Sequence, residues 1–247
     1  MVKRGEVTQA AGGLPYMSPE HADIMTALIL EHRLQRVLEL GFHQGVSTCY
    51  IAAALDELGG GSLTTIDLEE ARHLDPNVET LLESLGLRQL VSVYYEPASY
   101  LWRLMKMLEA SPPPRFDLCY IDGAHSWATD GLAFFLVDRM LVPGGWIVFD
   151  DLDWTFATSP GLKKTEMVRA MPREERETAQ VRKVYELLVK THGAYDELVE
   201  RDGWVLARKS REPAKEVRHV REIVHVPRHV GLGGLMIRIG RLLARRW

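Results

Sequence analysis

Three aspartates stand directly after apolar runs of the sequence. Asp122 follows FDLCYI, and Asp150 and Asp151 follow GGWIVF. If both runs are buried strands of one parallel sheet, the three carboxylates meet at the sheet edge outside which open α/β proteins bind ligands. Because carboxylates held together repel one another, a cation or a proton should lie between them, and oxygen ligands suit a hard cation such as Mg²⁺. The alternative is that Asp150 caps a following helix and Asp151 is solvated.

A second candidate site is the segment ELGFHQGVS at residues 39–47. Gly41 allows a tight turn, and Gly45 lets the start of the next helix approach a ligand closely. The segment is not the dinucleotide fingerprint G-x-G-x-x-G, because His43 occupies the second glycine position, and no Lys-Ser/Thr pair follows as in a phosphate-binding P-loop. A purely structural turn is therefore an equal alternative. Asp67 ends the next apolar run, where an acidic residue commonly binds ribose hydroxyls; a helix cap or a solvated carboxylate is its alternative.

Strand and helix signals alternate around these residues, which predicts a parallel sheet covered by helices on both faces. The predicted strands are residues 36–40, 63–67, 91–95, 117–122 and 146–150. The predicted helices are residues 18–32, 47–58, 77–86, 99–110 and 128–140. The first helix has Ser18 as its N-cap and Pro19 in its first turn.

The pattern changes in the last third of the chain. Residues 155–166 are irregular, and a helix is predicted at 177–193. Segments 194–200 and 204–209 flank Arg201-Asp202-Gly203, which is a hairpin turn signal. An antiparallel hairpin beside the parallel strands predicts an α/β fold with a seven-stranded, mostly parallel sheet.

Composition and cysteine content suit one α/β domain with extensions. The chain has 247 residues, of which 46% are hydrophobic, and no apolar run is long enough to span a membrane. Residues 1–13 lack the apolar core of a signal peptide. Cys49 and Cys119 lie in apolar segments, as reduced core cysteines of cytosolic proteins do. We therefore expect a cytoplasmic protein.

Charge is distributed unevenly. The net charge is −4, but residues 211–247 carry +6 and the other 210 residues carry −10. An acidic body argues against general nucleic-acid binding. We therefore divide the chain into an N-terminal helical segment at 1–35, the main domain at 36–210 and a basic extension at 211–247.

The basic extension contains a predicted amphipathic helix. Its apolar face consists of Leu235, Met236, Ile239, Leu242 and Leu243, and its basic face of Arg238, Arg241 and Arg245. Such a helix suits an anionic membrane surface, which would place the protein at the periphery of a membrane's inner face. The alternative, which we favour because one short helix binds lipid weakly, is docking on the acidic body or on a second subunit as a homo-oligomer contact.

Four segments carry a resemblance to a known family: VLELGFHQGVS, TTIDLE, FDLCYIDGAHSWATDGLAFF and LVPGGWIVFDD. They resemble the class I S-adenosylmethionine-dependent methyltransferases, and more narrowly the small metal-dependent O-methyltransferases of the catechol and macrolide-sugar type. The resemblance covers roughly residues 15–210. It implies a Rossmann-like methyltransferase fold, S-adenosylmethionine as cofactor, and a hydroxyl acceptor on a small molecule or glycan.

The same resemblance implies a set of cofactor contacts. Glu39 and Gly41 would line the methionine part, and Asp67 would bind the ribose hydroxyls. Ser99 matches a serine that contacts adenine in family members. The remaining implied contacts are Gly45, Ser47 and Asp122.

The resemblance also implies a catalytic metal. Metal-dependent members place their first ligand 28 positions before a consecutive acidic or amide pair, which is the separation of Asp122 from Asp150. A divalent cation such as Mg²⁺ bound by Asp122, Asp150 and Asp151 would lower the pKa of an acceptor hydroxyl and orient it. Asp122 is thus expected to be both a metal ligand and a catalytic residue.

His125 is the predicted base. It stands where the catechol branch carries a lysine, and Ala124 stands where the macrolide-sugar branch carries an aspartate. A histidine titrates near neutrality and can accept the hydroxyl proton; the alternative is that His125 caps the following helix. We expect the neighbouring carboxylates to raise its pKa and a bound cation to offset them.

We therefore expect an S-adenosylmethionine-dependent O-methyltransferase. Trp127, Asp153 and Trp154 flank the same sheet edge, where aromatic rings can form a wall for a sugar or aryl acceptor. One alternative is a nicotinamide-dependent oxidoreductase, against which His43 in the glycine pattern speaks. Another is a non-catalytic cofactor-binding or scaffold protein, against which three clustered carboxylates speak.

Overall fold

The protein is built on one mixed β-sheet, seen in a computed structural model that describes residues 2, 4–15 and 17–212. The strands in these residues are β1 (Arg36–Leu40), β2 (Ser62–Leu68), β3 (Val91–Glu96), β4 (Phe116–Ile121), β5 (Leu141–Phe149), β6 (Tyr195–Arg201) and β7 (Trp204–Lys209). Their order across the sheet is β3-β2-β1-β4-β5-β7-β6. The first five strands run parallel, and β7 pairs antiparallel with β5 and β6. The predicted fold class is confirmed.

Helices connect the strands. The α-helices of the described residues are α1 (Arg4–Ala11), α2 (Pro19–His32), α3 (Val46–Glu57), α4 (Val78–Ser84), α5 (Tyr100–Glu109), α6 (Trp127–Met140), α7 (Glu166–Ala170), α8 (Arg173–Glu177) and α9 (Gln180–Val184). Single 3₁₀ turns occupy Glu69–His73 and Arg88–Leu90, and a π-helical turn, Tyr185–Val189, continues α9.

Local sequence explains where several helices begin. The Ser18 hydroxyl accepts a hydrogen bond from the His21 N–H (3.1 Å), which confirms the predicted N-cap of α2. Asn77, Ser99 and Ser126 cap α4, α5 and α6 in the same way. Each cap satisfies an N–H group that has no partner within the helix, so polar residues before an apolar periodic run set the helix start.

Apolar side chains fill both faces of the sheet. On one face, α1 to α4 pack with residues such as Ile51 and Trp204. On the other, α5, α6 and α9 pack with residues such as Phe134 and Phe149. Because the central strands are covered on both sides, their carboxyl ends are held rigidly, and residues that follow them are placed accurately.

Some boundaries differ from the prediction. Residues 4–11, for which no helix bounds were predicted, form α1, in which Val7 and Ala11 are buried in the core. Strand β5 begins at Leu141 rather than at Trp146, since Leu141 pairs with Phe116 before a register shift. The helix predicted at 177–193 is shorter and changes to a π turn, and α7 and α8 were not predicted.

Other predictions are met or stay open. The hairpin turn is confirmed, with Asp202 and Gly203 both at positive φ. Cys49 and Cys119 are buried and unpaired, as expected of reduced core residues. None of the helices in the described part of the chain has the length and apolar character needed to cross a bilayer. The predicted basic amphipathic helix lies in residues 213–247, outside the described residues, and stays a prediction.

Candidate active site

A cavity of about 920 Å³ opens at the carboxyl ends of β1, β2, β4 and β5. Its walls come from residues 14–21, the loop after β1, the ends of β2, β4 and β5, and residues 154–162. Of the predicted site residues, those that line it are Gly41, Ser47, Asp67, Asp122, His125, Asp150 and Asp151. Glu39, Gly45 and Ser99 do not line it. The sheet therefore brings most of the predicted residues into one space.

The glycine loop after β1 is tight for identifiable reasons. Gly41 has φ +90°, and a Cβ there would overlap the Asp122 carbonyl, so no other residue fits without strain. Gly45, at φ +95°, begins α3, but a Cβ there would overlap the Val78 side chain in α4. The close approach that requires Gly45 is thus to a neighbouring helix rather than to a ligand, which differs from the prediction.

Asp67 organises this loop. Its Oδ2 accepts hydrogen bonds from the backbone N–H groups of Phe42 (2.7 Å) and His43 (2.6 Å), and its Oδ1 accepts one from Leu68 N–H (2.6 Å). His43 itself has φ 48°, a left-handed conformation that the carboxylate stabilises. Asp67 is therefore neither a helix cap nor a freely solvated carboxylate, and it still borders the cavity.

Glu39 lies beneath the loop rather than in the cavity. It is completely buried, and its Oε2 accepts hydrogen bonds from the hydroxyls of Thr48 (2.6 Å) and Thr65 (2.7 Å). Its Oε1 has no partner among the described residues. Burial raises the pKa of this carboxyl to about 7. A direct contact with a methionine group stays a prediction; the geometry makes Glu39 a support for the loop.

Ser99 is likewise engaged elsewhere. Its hydroxyl accepts a hydrogen bond from Leu101 N–H (3.2 Å) as the N-cap of α5. The serine expected to contact adenine therefore stabilises a helix start in this structure, and its contact with a cofactor stays a prediction.

At the carboxylate edge, three side chains converge. Ligand atoms of Asp122, His125 and Asp151 all lie within 4.8 Å of one another. His125 Nε2 is 3.9 Å from Asp122 Oδ1 and 3.6 Å from Asp151 Oδ2. This spacing is compatible with one small cation held between two carboxylate oxygens and an imidazole nitrogen.

Asp150 does not join this group, although the sequence predicted that it would. Its Oδ2 accepts a short hydrogen bond from the Tyr120 hydroxyl, and its Oδ1 accepts one from Asp151 N–H (2.6 Å). The Tyr120 hydroxyl also lies 3.1 Å from Asp122 Oδ2. Tyr120 and the turn thus hold Asp150 in place, and His125 occupies the third position in the cluster.

The pKa shifts reflect crowding and burial. Burial, followed by the charges of Asp150 and Asp151, raises the pKa of Asp122 well above its usual range. Burial and Asp150 raise the pKa of Asp151 to about 6. Burial lowers the pKa of His125 and outweighs the carboxylates, so our expectation of a raised value was wrong. His125 is thus neutral at pH 7, the form that accepts a proton or binds a metal.

His125 is not a helix cap. Ser126 caps α6, with its hydroxyl accepting from Thr129 N–H (3.3 Å), while His125 has φ 50° and points its ring toward Trp154 (centroids 4.9 Å apart). Trp154 lines the cavity as expected, and Phe156 supports it edge-on (4.8 Å).

The other two predicted rim residues lie outside the cavity. Trp127 is 42% exposed, and its backbone N–H donates to Gln180. Asp153 forms a surface ion pair with Arg182 (2.5 Å).

Two supporting residues were missed by the sequence reasoning. Tyr120 precedes Asp122 by two positions, so strand alternation places both side chains on one side of β4; that signal was available. Asp130, only 1% exposed, accepts hydrogen bonds from Ser126 N–H (2.9 Å) and from the Tyr100 hydroxyl. Nothing in the local pattern of α6 marks a buried aspartate, because its partner Tyr100 is distant in sequence. Asp130 anchors the loop that carries Asp122 and His125.

The sheet order, the terminal antiparallel hairpin and the position of the cavity define the fold of the class I S-adenosylmethionine-dependent methyltransferases. A family model described as a methyltransferase domain matches residues 38–152, which contain the glycine loop and the carboxylate edge. These residues therefore resemble a methyltransferase domain, and the predicted fold is confirmed. Among curated proteins, no sequence matches this chain.

Solved structures with this fold include O-methyltransferases. One from Bacillus cereus, in complex with S-adenosylhomocysteine, is 22% identical, with a TM-score of 0.61 over 83% of this chain and 90% of that chain. The O-methyltransferase TomG from Streptomyces achromogenes, involved in tomaymycin synthesis and solved with S-adenosylmethionine, is 21% identical, with a TM-score of 0.61 over 85% of this chain and 92% of that chain. Both likenesses extend well beyond the matched domain and support the fold.

Proposed function

We propose that the protein transfers a methyl group from S-adenosylmethionine to a hydroxyl of a small molecule or glycan, assisted by a divalent cation. One observation carries the proposal. A single cavity joins the glycine loop with Asp67 to the cluster of Asp122, His125 and Asp151. Cofactor-binding and proton-accepting groups thus face the same space, which is the arrangement that methyl transfer to a hydroxyl requires.

The residues present fit the cofactor. Gly41 leaves room at the turn, and Ser47 lies on the first turn of α3 at the cavity wall. Asp67 is fixed by backbone N–H groups, and the lone pairs it retains can accept ribose hydroxyls. We assign Glu39, Gly45 and Ser99 to supporting the loop and helix starts.

The residues also fit a cation. Asp122 and Asp151 would supply carboxylate oxygens, while Asp150 would orient them through its bonds with Asp151 N–H and Tyr120. The raised pKa values of Asp122 and Asp151 indicate carboxylates that lack a compensating positive charge. A bound Mg²⁺ would lower the pKa of the acceptor hydroxyl.

His125 has two alternative roles in this arrangement. As the base, its neutral ring takes the proton of the acceptor hydroxyl, and Trp154 restricts its orientation. As a ligand, the same nitrogen binds the cation and leaves the proton to a carboxylate. We favour the base, and measurement of metal affinity in a His125 variant separates the two roles.

For the acceptor, Trp154 supplies an aromatic wall beside His125, and the buried Phe156 packs edge-on against Trp154. Such a wall suits a flat ring or the apolar face of a sugar. A cytoplasmic location, the absence of a nucleic-acid partner and membrane or subunit contact through the basic extension stay predictions.

Two measurements test the proposal. Calorimetry should show that S-adenosylmethionine binds and that NAD⁺ does not; the reverse would favour the oxidoreductase. With a labelled methyl donor and a panel of catechols, phenols and hexoses, transfer should require Mg²⁺ and stop on chelation. Persistent turnover after exhaustive chelation would leave only the proton-transfer role for the carboxylate edge.

The cation site has a separate optical test. Tb³⁺ bound there should luminesce through Trp154 and be displaced by Mg²⁺. Asp122→Asn and Asp151→Asn should abolish the signal. Asp153→Asn is the matched control, because that carboxylate is nearby but paired with Arg182 at the surface. Equal loss in the control would contradict the assignment.

A further inference from the structure

A second large groove lies at the opposite edge of the sheet, where β1, β2 and β4 begin. Its volume is about 590 Å³, and none of its lining residues is acidic. Four basic side chains line it: Arg36, Arg103, Lys106 and Arg115. We propose that this groove is a binding site for a small organic phosphate, separate from the methyl-transfer cavity.

Two of the four cations are held in place by acidic partners behind the groove. Arg36 forms a two-pronged ion pair with Asp117, whose Oδ1 is 2.6 Å from Nη2. Arg103 bonds to the nearly buried Glu96 at 2.6 Å and lies over the Tyr94 ring at 4.4 Å. These guanidinium groups are therefore rigid, and the acidic partners offset their positive charge. They contribute to the shape of the groove more than to its positive charge.

The other two cations are not compensated. Within the described ranges, no carboxylate lies within ion-pair distance of Lys106 or Arg115. Arg115 is fixed instead by the backbone carbonyls of Arg139 (3.0 Å) and Leu141 (3.3 Å), which leave further guanidinium N–H donors free. Two uncompensated positive charges thus face one groove in a body, residues 1–210, whose net charge is −10. A concave cationic surface in an acidic protein concentrates anions locally.

The remaining lining favours a phosphate ester over a simple anion. The hydroxyl residues Ser62 and Thr64, at the start of β2, add polar groups suited to phosphate oxygens. Tyr94, Met107 and Phe116 supply apolar surface for an organic part. Arginine and lysine together provide the directional and point-charge contacts typical of phosphate recognition.

The test uses the full chain with S-adenosylhomocysteine present, so that the cofactor part of the methyl-transfer cavity is occupied. Phenyl phosphate, inorganic phosphate and phenol are titrated at constant ionic strength by calorimetry. Trp102 provides a fluorescence signal, because its exposed ring lies 5.7 Å from Lys106 Nζ. We expect phenyl phosphate to bind this groove with a dissociation constant below about 1 mM, phosphate more weakly, and phenol only in a way that does not depend on Lys106.

Variants locate the binding. Lys106→Gln should weaken phenyl phosphate binding at least tenfold, and the double variant with Arg115→Gln further. Lys106 is exposed and makes no hydrogen bond with another described residue, so Lys106→Gln alone should not affect folding. It therefore tests the proposal even if the double variant with Arg115→Gln folds poorly. The control Arg169→Gln with Lys190→Gln removes the same charge elsewhere. Unchanged affinity for phenyl phosphate in Lys106→Gln, or equal loss in the control, would overturn the proposal, as would a loss of phenol affinity in Lys106→Gln equal to that of phenyl phosphate. All outcomes are independent of methyl transfer.

Discussion

Replacing Glu39 with glutamine should stabilise the protein increasingly as the pH rises. Burial raises the pKa of this carboxyl from 4.5 to about 7. A carboxyl whose pKa is higher in the folded chain than in the unfolded chain contributes stability only while it is protonated. That contribution is complete below about pH 4.5 and is lost as the pH rises through about 7. Glutamine retains an oxygen for Thr48 and Thr65 and cannot ionise.

The expected magnitude follows from the shift. One pKa unit corresponds to about 1.4 kcal/mol, so the rise from 4.5 to about 7 corresponds to roughly 3 kcal/mol in the free energy of unfolding. At about pH 5 the variant should lie within about 1 kcal/mol of the wild type. At about pH 8 it should be about 2–3 kcal/mol more stable.

Urea unfolding followed by tryptophan fluorescence at both pH values measures this difference. Asp122 and Asp151 also titrate, and subtracting the wild type from the variant removes the part of their contributions that does not depend on the charge of Glu39. Glu109→Gln, at an exposed position on α5, is the matched control for replacing a glutamate with glutamine. A stability difference for Glu39→Gln that is the same at both pH values would refute the reasoning, since it would mean that Glu39 ionises equally well in the folded and unfolded chains.

Four further substitutions test the candidate site. Asp67→Ala should weaken S-adenosylmethionine binding by roughly 1–3 kcal/mol, because a ribose hydroxyl and two loop N–H groups lose their acceptor; unchanged calorimetric affinity would remove Asp67 from the cofactor site. His125→Ala should lower kcat by roughly 10²–10⁴-fold with little change in the affinity for the cofactor or for Tb³⁺. Loss of Tb³⁺ binding together with the loss of activity would instead make His125 a metal ligand. Asp130→Asn should lower kcat and thermal stability together, because the buried hydrogen bonds to Ser126 N–H and the Tyr100 hydroxyl position the loop that carries Asp122 and His125. Tyr100→Phe should reproduce part of the effect. A fully active Asp130 variant would mean that this residue contributes only to folding.

Most of the fold was predictable because its signals are local. The apolar runs that form β1 to β5, the caps at Ser18 and Asn77 and the turn at Asp202 each depend on a few consecutive residues. The predictions that failed concern elements whose bounds depend on contacts between residues distant in the sequence. Leu141 belongs to β5 because it pairs with Phe116, and α1 forms because Val7 and Ala11 find the core.

The same distinction between local signals and distant contacts applies to the candidate site. Placing Asp122 and Asp151 at the ends of parallel strands was enough to predict that they meet. The orientation of the Asp150 carboxylate was not predictable from the sequence. It is set by hydrogen bonds from the Tyr120 hydroxyl and from Asp151 N–H. The exchange of Asp150 for His125 in the cluster is a result of those contacts.

The sequence by itself determined the fold class, the glycine turn at Gly41 and the edge of the sheet where the carboxylates gather, because strand periodicity and strand-end position are encoded locally. Only the tertiary structure decided the protonation of the site. Burial lowers the pKa of His125 despite its acidic neighbours and raises that of Glu39 to about 7. Desolvation depends on everything packed around a group, and no short stretch of sequence contains that information.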